Sequence, residues 1–147
     1  MGNSNLGSDR LYDVVFIEGD GIGPELIEAA AIVLRSVQKR FGTFNLNIDY
    51  HAAGAAIFRD HGYIISSQSL HAVKKADAVF KGPAGLPSVR QPDGTEAASL
   101  AGLLRRELST YANVRPVRLF PNVPTPLKYR PGDIDYVIVR ENMEGLY

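Results

Sequence analysis

The apolar positions of this chain fall into two alternating rhythms. Residues 12–18, YDVVFIE, form a short apolar run of the kind a buried strand needs. Beyond a glycine-rich turn, Leu26, Ile27, Ala30, Val33, Leu34 and Val37 recur at helical spacing and predict an amphipathic helix. Pro24 suits the first helical position, where no N–H is needed, and Gly42 is a natural stop after Arg40 and Phe41. A second strand is predicted over 46–52, short helices over 55–60 and 67–75, and a third strand over 77–81. Leu100, Leu103, Leu104, Leu108 and Tyr111 then make one apolar stripe, which predicts a helix reaching Tyr111. Strands are predicted over 114–120 and 134–140, separated by the proline-rich stretch 121–132. Strands alternating with helices give an α/β layer with a mainly parallel sheet flanked by helices.

Composition narrows the possibilities. A chain of 147 residues with 45% hydrophobic and 22% charged side chains can bury a core, so it is not a disordered segment. It has no cysteine, which excludes a disulfide framework, a thiolate zinc site and a cysteine nucleophile. Sixteen basic and sixteen acidic side chains cancel, leaving no overall field to attract nucleic acid or an anionic membrane. No apolar run approaches a membrane span, and the polar opening MGNSNLGSDR lacks the apolar core of a signal peptide. Leu6 stands where a myristoylation signal wants Ser or Thr. Residues 1–10 therefore read as a flexible tail on a soluble, cytoplasmic protein.

Candidate chemistry concentrates in three places. The first is GDGIGPE, residues 19–25, which superficially resembles a dinucleotide fingerprint. Pro24 takes the last glycine position, and Glu25 would oppose a pyrophosphate at the helix N-terminus, so a tight strand-to-helix turn is the better reading. The second is the segment 81–95, KGPAGLPSVRQPDGT, whose glycines and prolines mark a long loop: either a binding loop or a surface excursion. The third is a set of arginines, Arg105, Arg115 and Arg140. Three guanidiniums suit a small polycarboxylate, since each planar fork takes a carboxylate bidentately and stays charged. Chemistry alone leaves a second reading open, that of surface arginines in local ion pairs such as Arg106 with Glu96 or Glu107. His51, His61 and His71 fit no common metal-ligand spacing and read as ordinary polar histidines. Asp133 and Asp135, flanking Ile134, read as a solvated strand entry rather than a cation site.

Four stretches in order, GDGIGPE, ADAVFKGP, LRRELSTYANVRP and IVRENMEGLY, resemble one family. It is the metal-dependent β-decarboxylating dehydrogenases, which include isocitrate, isopropylmalate, homoisocitrate and tartrate dehydrogenases. The resemblance runs from about Tyr12 to Tyr147. It implies an isopropylmalate-dehydrogenase-like α/β fold, incomplete here. Residues 11–110 would be the N-terminal part of the large domain, and 111–147 the start of a smaller second domain. The activity implied is oxidation of a 2-hydroxy acid bearing a 3-carboxylate, with hydride passing to NAD or NADP, and loss of carbon dioxide, aided by Mg2+ or Mn2+. By match to the motifs, Arg105, Arg115, Arg140 and Ser99 would bind substrate and Tyr147 would be the catalytic acid. Ile22, Gly82, Pro83 and Ala98 would contact the cofactor.

The family continues well past this tyrosine. Its metal-binding aspartates and the lysine donated by the partner of a homodimer lie in that continuation, so the resemblance marks this chain as an N-terminal part. The substrate stays open: Ala101 stands where the isocitrate branch has asparagine, while RLFPNVP and GDIDYVIVREN lean towards the tartrate and isopropylmalate side. A non-catalytic carboxylate-binding or regulatory subunit on the same scaffold is the alternative. Neither reading implies nucleic acid or membrane as a partner.

Overall fold

β1 (Leu11–Ile17) is the centre of the first sheet. It runs parallel to β2 (Asn45–His51) on one side, in the register Val14↔Ile48, and to β3 (Ala78–Lys81) on the other, in the register Phe16↔Phe80. The sheet order is therefore β2-β1-β3. The computed structural model describes residues 10–96 and 99–144. These fall into two units divided between Leu103 and Leu104.

In the first unit, α1 (Gly23–Phe41) packs Ile27 and Ala31 against Val14 and Phe16, with Leu34, Leu46 and Ile48 around them. Phe16 and Ile27 are almost fully enclosed; a side chain of that size contributes about 1.5–3 kcal/mol when buried. Register aligns Tyr50, Phe16 and Phe80 across the three strands, with ring centroids 5.5 and 5.3 Å apart. α1 ends as expected at Gly42, whose φ of 62° lets its N–H reach back to the Gln38 carbonyl. α2 (Ala55–His61) and α3 (Ser67–Lys75) lie between β2 and β3 in the chain. Ser66 caps α3 by accepting the Ser69 N–H. His51, on the sheet face opposite Phe16, takes the Ser69 hydroxyl at 3.0 Å and Asp49 at 2.9 Å. It is thus a structural link between β2 and α3.

α4 (Leu100–Glu107) is shorter than the apolar stripe predicts. The helix stops because Ser109 takes a φ of 50°. Its N–H then bonds the Arg106 carbonyl, and that of Thr110 bonds the Arg105 carbonyl. This is the Schellman arrangement, with serine where glycine is usual. Tyr111 consequently leaves the stripe and is 76% exposed.

In the second unit, β4 (Ala112–Arg118) pairs antiparallel with β5 (Asp135–Glu141). Asp135 pairs with Arg118 at 2.7 Å, and Asp133 accepts the Arg130 N–H, so both aspartates have ordinary strand-entry roles.

Candidate functional site

The first βα turn and the segment after β3 are stitched together. Gly82 donates its N–H to the Ile17 carbonyl and Asp20 donates to the Pro83 carbonyl, both at 2.8 Å. A Cβ on Gly23 or on Gly82 would strike the Glu18 carbonyl. Glycine is therefore needed at both for the two segments to approach, a packing role rather than a phosphate cradle.

Asp20 is buried at the centre of this arrangement, only 6% exposed. Its Oδ2 accepts the N–H groups of Ala55 and Gly85, each at 2.7 Å, and its Oδ1 accepts that of Ala56 at 2.8 Å. Burial works to raise its pKa; the N–H groups of Ala56, Gly85 and Ala55, with the Arg59 charge, outweigh burial and hold the carboxyl below its ordinary value. No motif in the sequence marks Asp20 by itself. Its partners lie 35, 36 and 65 positions away, and no local spacing signals them.

Above Asp20 opens a cleft of about 270 Å³. Gly54 and Ala55, at the start of α2, line one wall; Ala84, Gly85, Leu86 and Pro87 line another, with Val89, Ser99 and Leu100 completing it. Arg90 and Glu96 stand at the cleft and pair with each other at 3.5 Å. The volume suits one planar ring, not a whole dinucleotide. The loops that form it follow β2 and β3, at the carboxyl ends of parallel strands, where α/β sheets bind ligands.

The sequence-derived site residues fall in different places. Ser99 lines the cleft and also caps α4, its Oγ accepting the Gly102 N–H at 3.2 Å. Gly82 and Pro83 use their backbone in the stitch to β1, and the cleft lining begins one residue later at Ala84. Ile22, 63% exposed at the N-cap of α1, is not among the cleft-lining residues. Ala98 and Tyr147 lie outside the described residues.

The three arginines all belong to the second unit. Register pairs Asn113 with Arg140 and Arg115 with Ile138. Residues alternate across a strand, so Asn113, Arg115 and Arg140 share one face of the ladder. Arg115 and Arg140 are diagonal neighbours on it, about 7–8 Å apart at the backbone. The Nε of Arg115 donates to Asn113 Oδ1 at 3.0 Å, which orients its guanidinium along that face. Arg105, half-buried near the end of α4, is tied to the same unit through its carbonyl. Thr110 donates to that carbonyl, and the side chain of Asn142, just beyond β5, donates to the Thr110 carbonyl at 3.1 Å.

Among the described residues no group of three or more His, Asp or Glu side chains could hold a metal ion. Among the same residues, no helix is long and apolar enough to cross a membrane.

A cleft at the carboxyl ends of parallel strands, lined by small, apolar and charged residues, lies where α/β domains commonly take their ligands. The family model of isocitrate/isopropylmalate dehydrogenases matches residues 13–147, and the chain belongs to that family. A probable tartrate dehydrogenase/decarboxylase of Agrobacterium vitis is 39% identical over 94% of this chain. The NADP isocitrate dehydrogenase of Thermus thermophilus is 41% identical over 91%, and the decarboxylating D-malate dehydrogenase of Escherichia coli 38% over 91%. The chain spans only 38%, 25% and 37% of those three relatives. Among solved structures, isocitrate dehydrogenase from Methylococcus capsulatus matches with a TM-score of 0.75 at 32% identity, over 92% of this chain and 36% of that one. A β-decarboxylating dehydrogenase from Thermococcus kodakarensis matches with 0.69 at 35% identity, over 91% and 35%.

Proposed function

We propose that this chain is the N-terminal portion of an NAD(P)-dependent oxidoreductase that oxidises and decarboxylates a 2-hydroxy acid bearing a 3-carboxylate. The observation that carries the reading is the shared ladder face of Arg115 and Arg140, in a chain of a family whose named members act on hydroxy acids. Two long arginine side chains from diagonal positions on one face can converge on two carboxylates on adjacent carbons of a small substrate, each as a charge-assisted, bidentate pair. Arg105 supplies a third fork and Ser99 a hydroxyl, while Tyr147, with a normally protonated phenol, gives the proton that the enol needs after carbon dioxide leaves.

The cleft above Asp20 takes the nicotinamide end of NAD or NADP, whose bound ring accepts the hydride. Ala84, Gly85 and Leu86 would flank that ring, with Ile22, Gly82, Pro83 and Ala98 in the wider cofactor region. The Mg2+ or Mn2+ ligands, the adenine-binding elements and the partner lysine of a cytoplasmic homodimer belong to residues outside this chain. Tartrate, isocitrate, isopropylmalate and malate are the candidate substrates.

The test is to express the gene through its own stop codon and measure NAD+ and NADP+ reduction with those four acids and either metal. Metal-dependent turnover with release of carbon dioxide supports the reading. Carboxylate binding without turnover supports a non-catalytic subunit instead. The 147-residue chain alone is expected to give no sustained turnover, and metal-dependent activity from it would refute that expectation.

A further inference from the structure

We infer that Asp20 is a positioning residue for the cofactor cleft: one buried carboxylate holds the two walls at the separation that accepts a nicotinamide ring. The assignment to cofactor rests on the reading proposed above.

The walls come from distant parts of the chain. Gly54 and Ala55 follow β2, while Gly85 follows β3. A single oxygen, Asp20 Oδ2, accepts from Ala55 on one wall and Gly85 on the other, both at 2.7 Å. The backbone N–H of the same aspartate holds the Pro83 carbonyl at 2.8 Å, so the second wall is tied to Asp20 twice. The carboxylate also fills the space where a Cβ on Gly54 would lie, which lets the first wall sit directly on it. Any shift of this side chain therefore changes the cleft from both sides.

Asparagine in its place is informative because it has one acceptor oxygen. With that oxygen in the Oδ2 position, the Ala56 N–H faces an NH2 group; flipped, both wall N–H groups do. Alanine removes all three acceptor bonds.

The experiment uses the protein expressed from the gene through its own stop codon, as wild type, Asp20→Asn and Asp20→Ala. Amide exchange is followed at Gly85, Ala55 and Phe16, with NADH affinity by fluorescence titration. In the wild type, the Gly85 and Ala55 amides are expected to be protected although both residues line an open cleft. An unprotected Gly85 amide overturns the inference without recourse to a variant. In Asp20→Ala, exchange at Gly85 and Ala55 should rise about tenfold or more beyond any change at Phe16, which tracks global opening. NADH affinity should fall by about the same factor, and by less in Asp20→Asn, whose one acceptor oxygen can keep both wall N–H groups. Exchange at Gly85 that rises only in step with Phe16 assigns Asp20 a global structural role and overturns the inference. So does unchanged NADH affinity in a variant whose Gly85 has loosened. A wild type that fails to bind NADH defeats the cofactor reading instead, while the exchange comparison still decides whether Asp20 holds the walls.

Discussion

Replacing Asp20 by asparagine should destabilise the first unit strongly, and in a pH-dependent way. The carboxylate accepts three N–H groups at 2.7, 2.7 and 2.8 Å and is almost wholly enclosed. A hydrogen bond to a charged group is worth about 1.5–3 kcal/mol, and asparagine loses one or two of the three while burying an opposed donor. The expected loss at neutral pH is therefore about 2–5 kcal/mol, a large part of a small domain's stability. The folded-state pKa lies below the ordinary value, while an aspartate in an unfolded chain titrates at about 3.9. The carboxylate's contribution is thus complete above the unfolded pKa and is lost as pH falls through the folded one. Urea denaturation of both proteins from neutral to acid pH measures this. The gap between them should be constant near neutrality and shrink only below about pH 4. A gap under about 0.5 kcal/mol at neutral pH, or one that ignores acidification, would refute the reasoning.

Other outcomes follow from the same geometry. In an active form of the enzyme, Arg105→Ala should lower kcat/KM by roughly tenfold to a few hundredfold, while Arg106→Ala should cost far less; equal impairment would mean that the substrate-facing side of α4 is misassigned. Ile27→Ala should cost about 2–5 kcal/mol in urea unfolding, because Ile27 joins α1 to Val14 and Phe16 on β1; a loss under about 1 kcal/mol would contradict that packing.

Much of the fold is legible in the sequence because its signals are local. Pro24 and Gly42 mark the ends of α1, and the apolar runs mark the three parallel strands to within a residue or two. The apolar stripe outruns α4 because Ser109 does at the helix end what glycine usually does, and serine carries no such signal. Asp20 was invisible for a different reason: its partners meet only once β1, α2 and the segment after β3 are assembled. The arginines stand out through family resemblance, but the common face of Arg115 and Arg140 depends on strand register. A slip of one residue in β5 would send Arg140 to the opposite side of the ladder. Glu96 pairs with Arg90 across a short turn, a partner that no helical spacing signals.

The central claim, that a small dicarboxylate hydroxy acid is held by the arginine face, is tested most directly by titrating the guanidinium NMR signals of Arg115 and Arg140. Tartrate or isocitrate should shift both signals together with one saturating affinity, and lactate, with a single carboxylate, should leave them nearly unmoved. Equal responses to lactate and tartrate, or movement of one arginine without the other, would contradict the account.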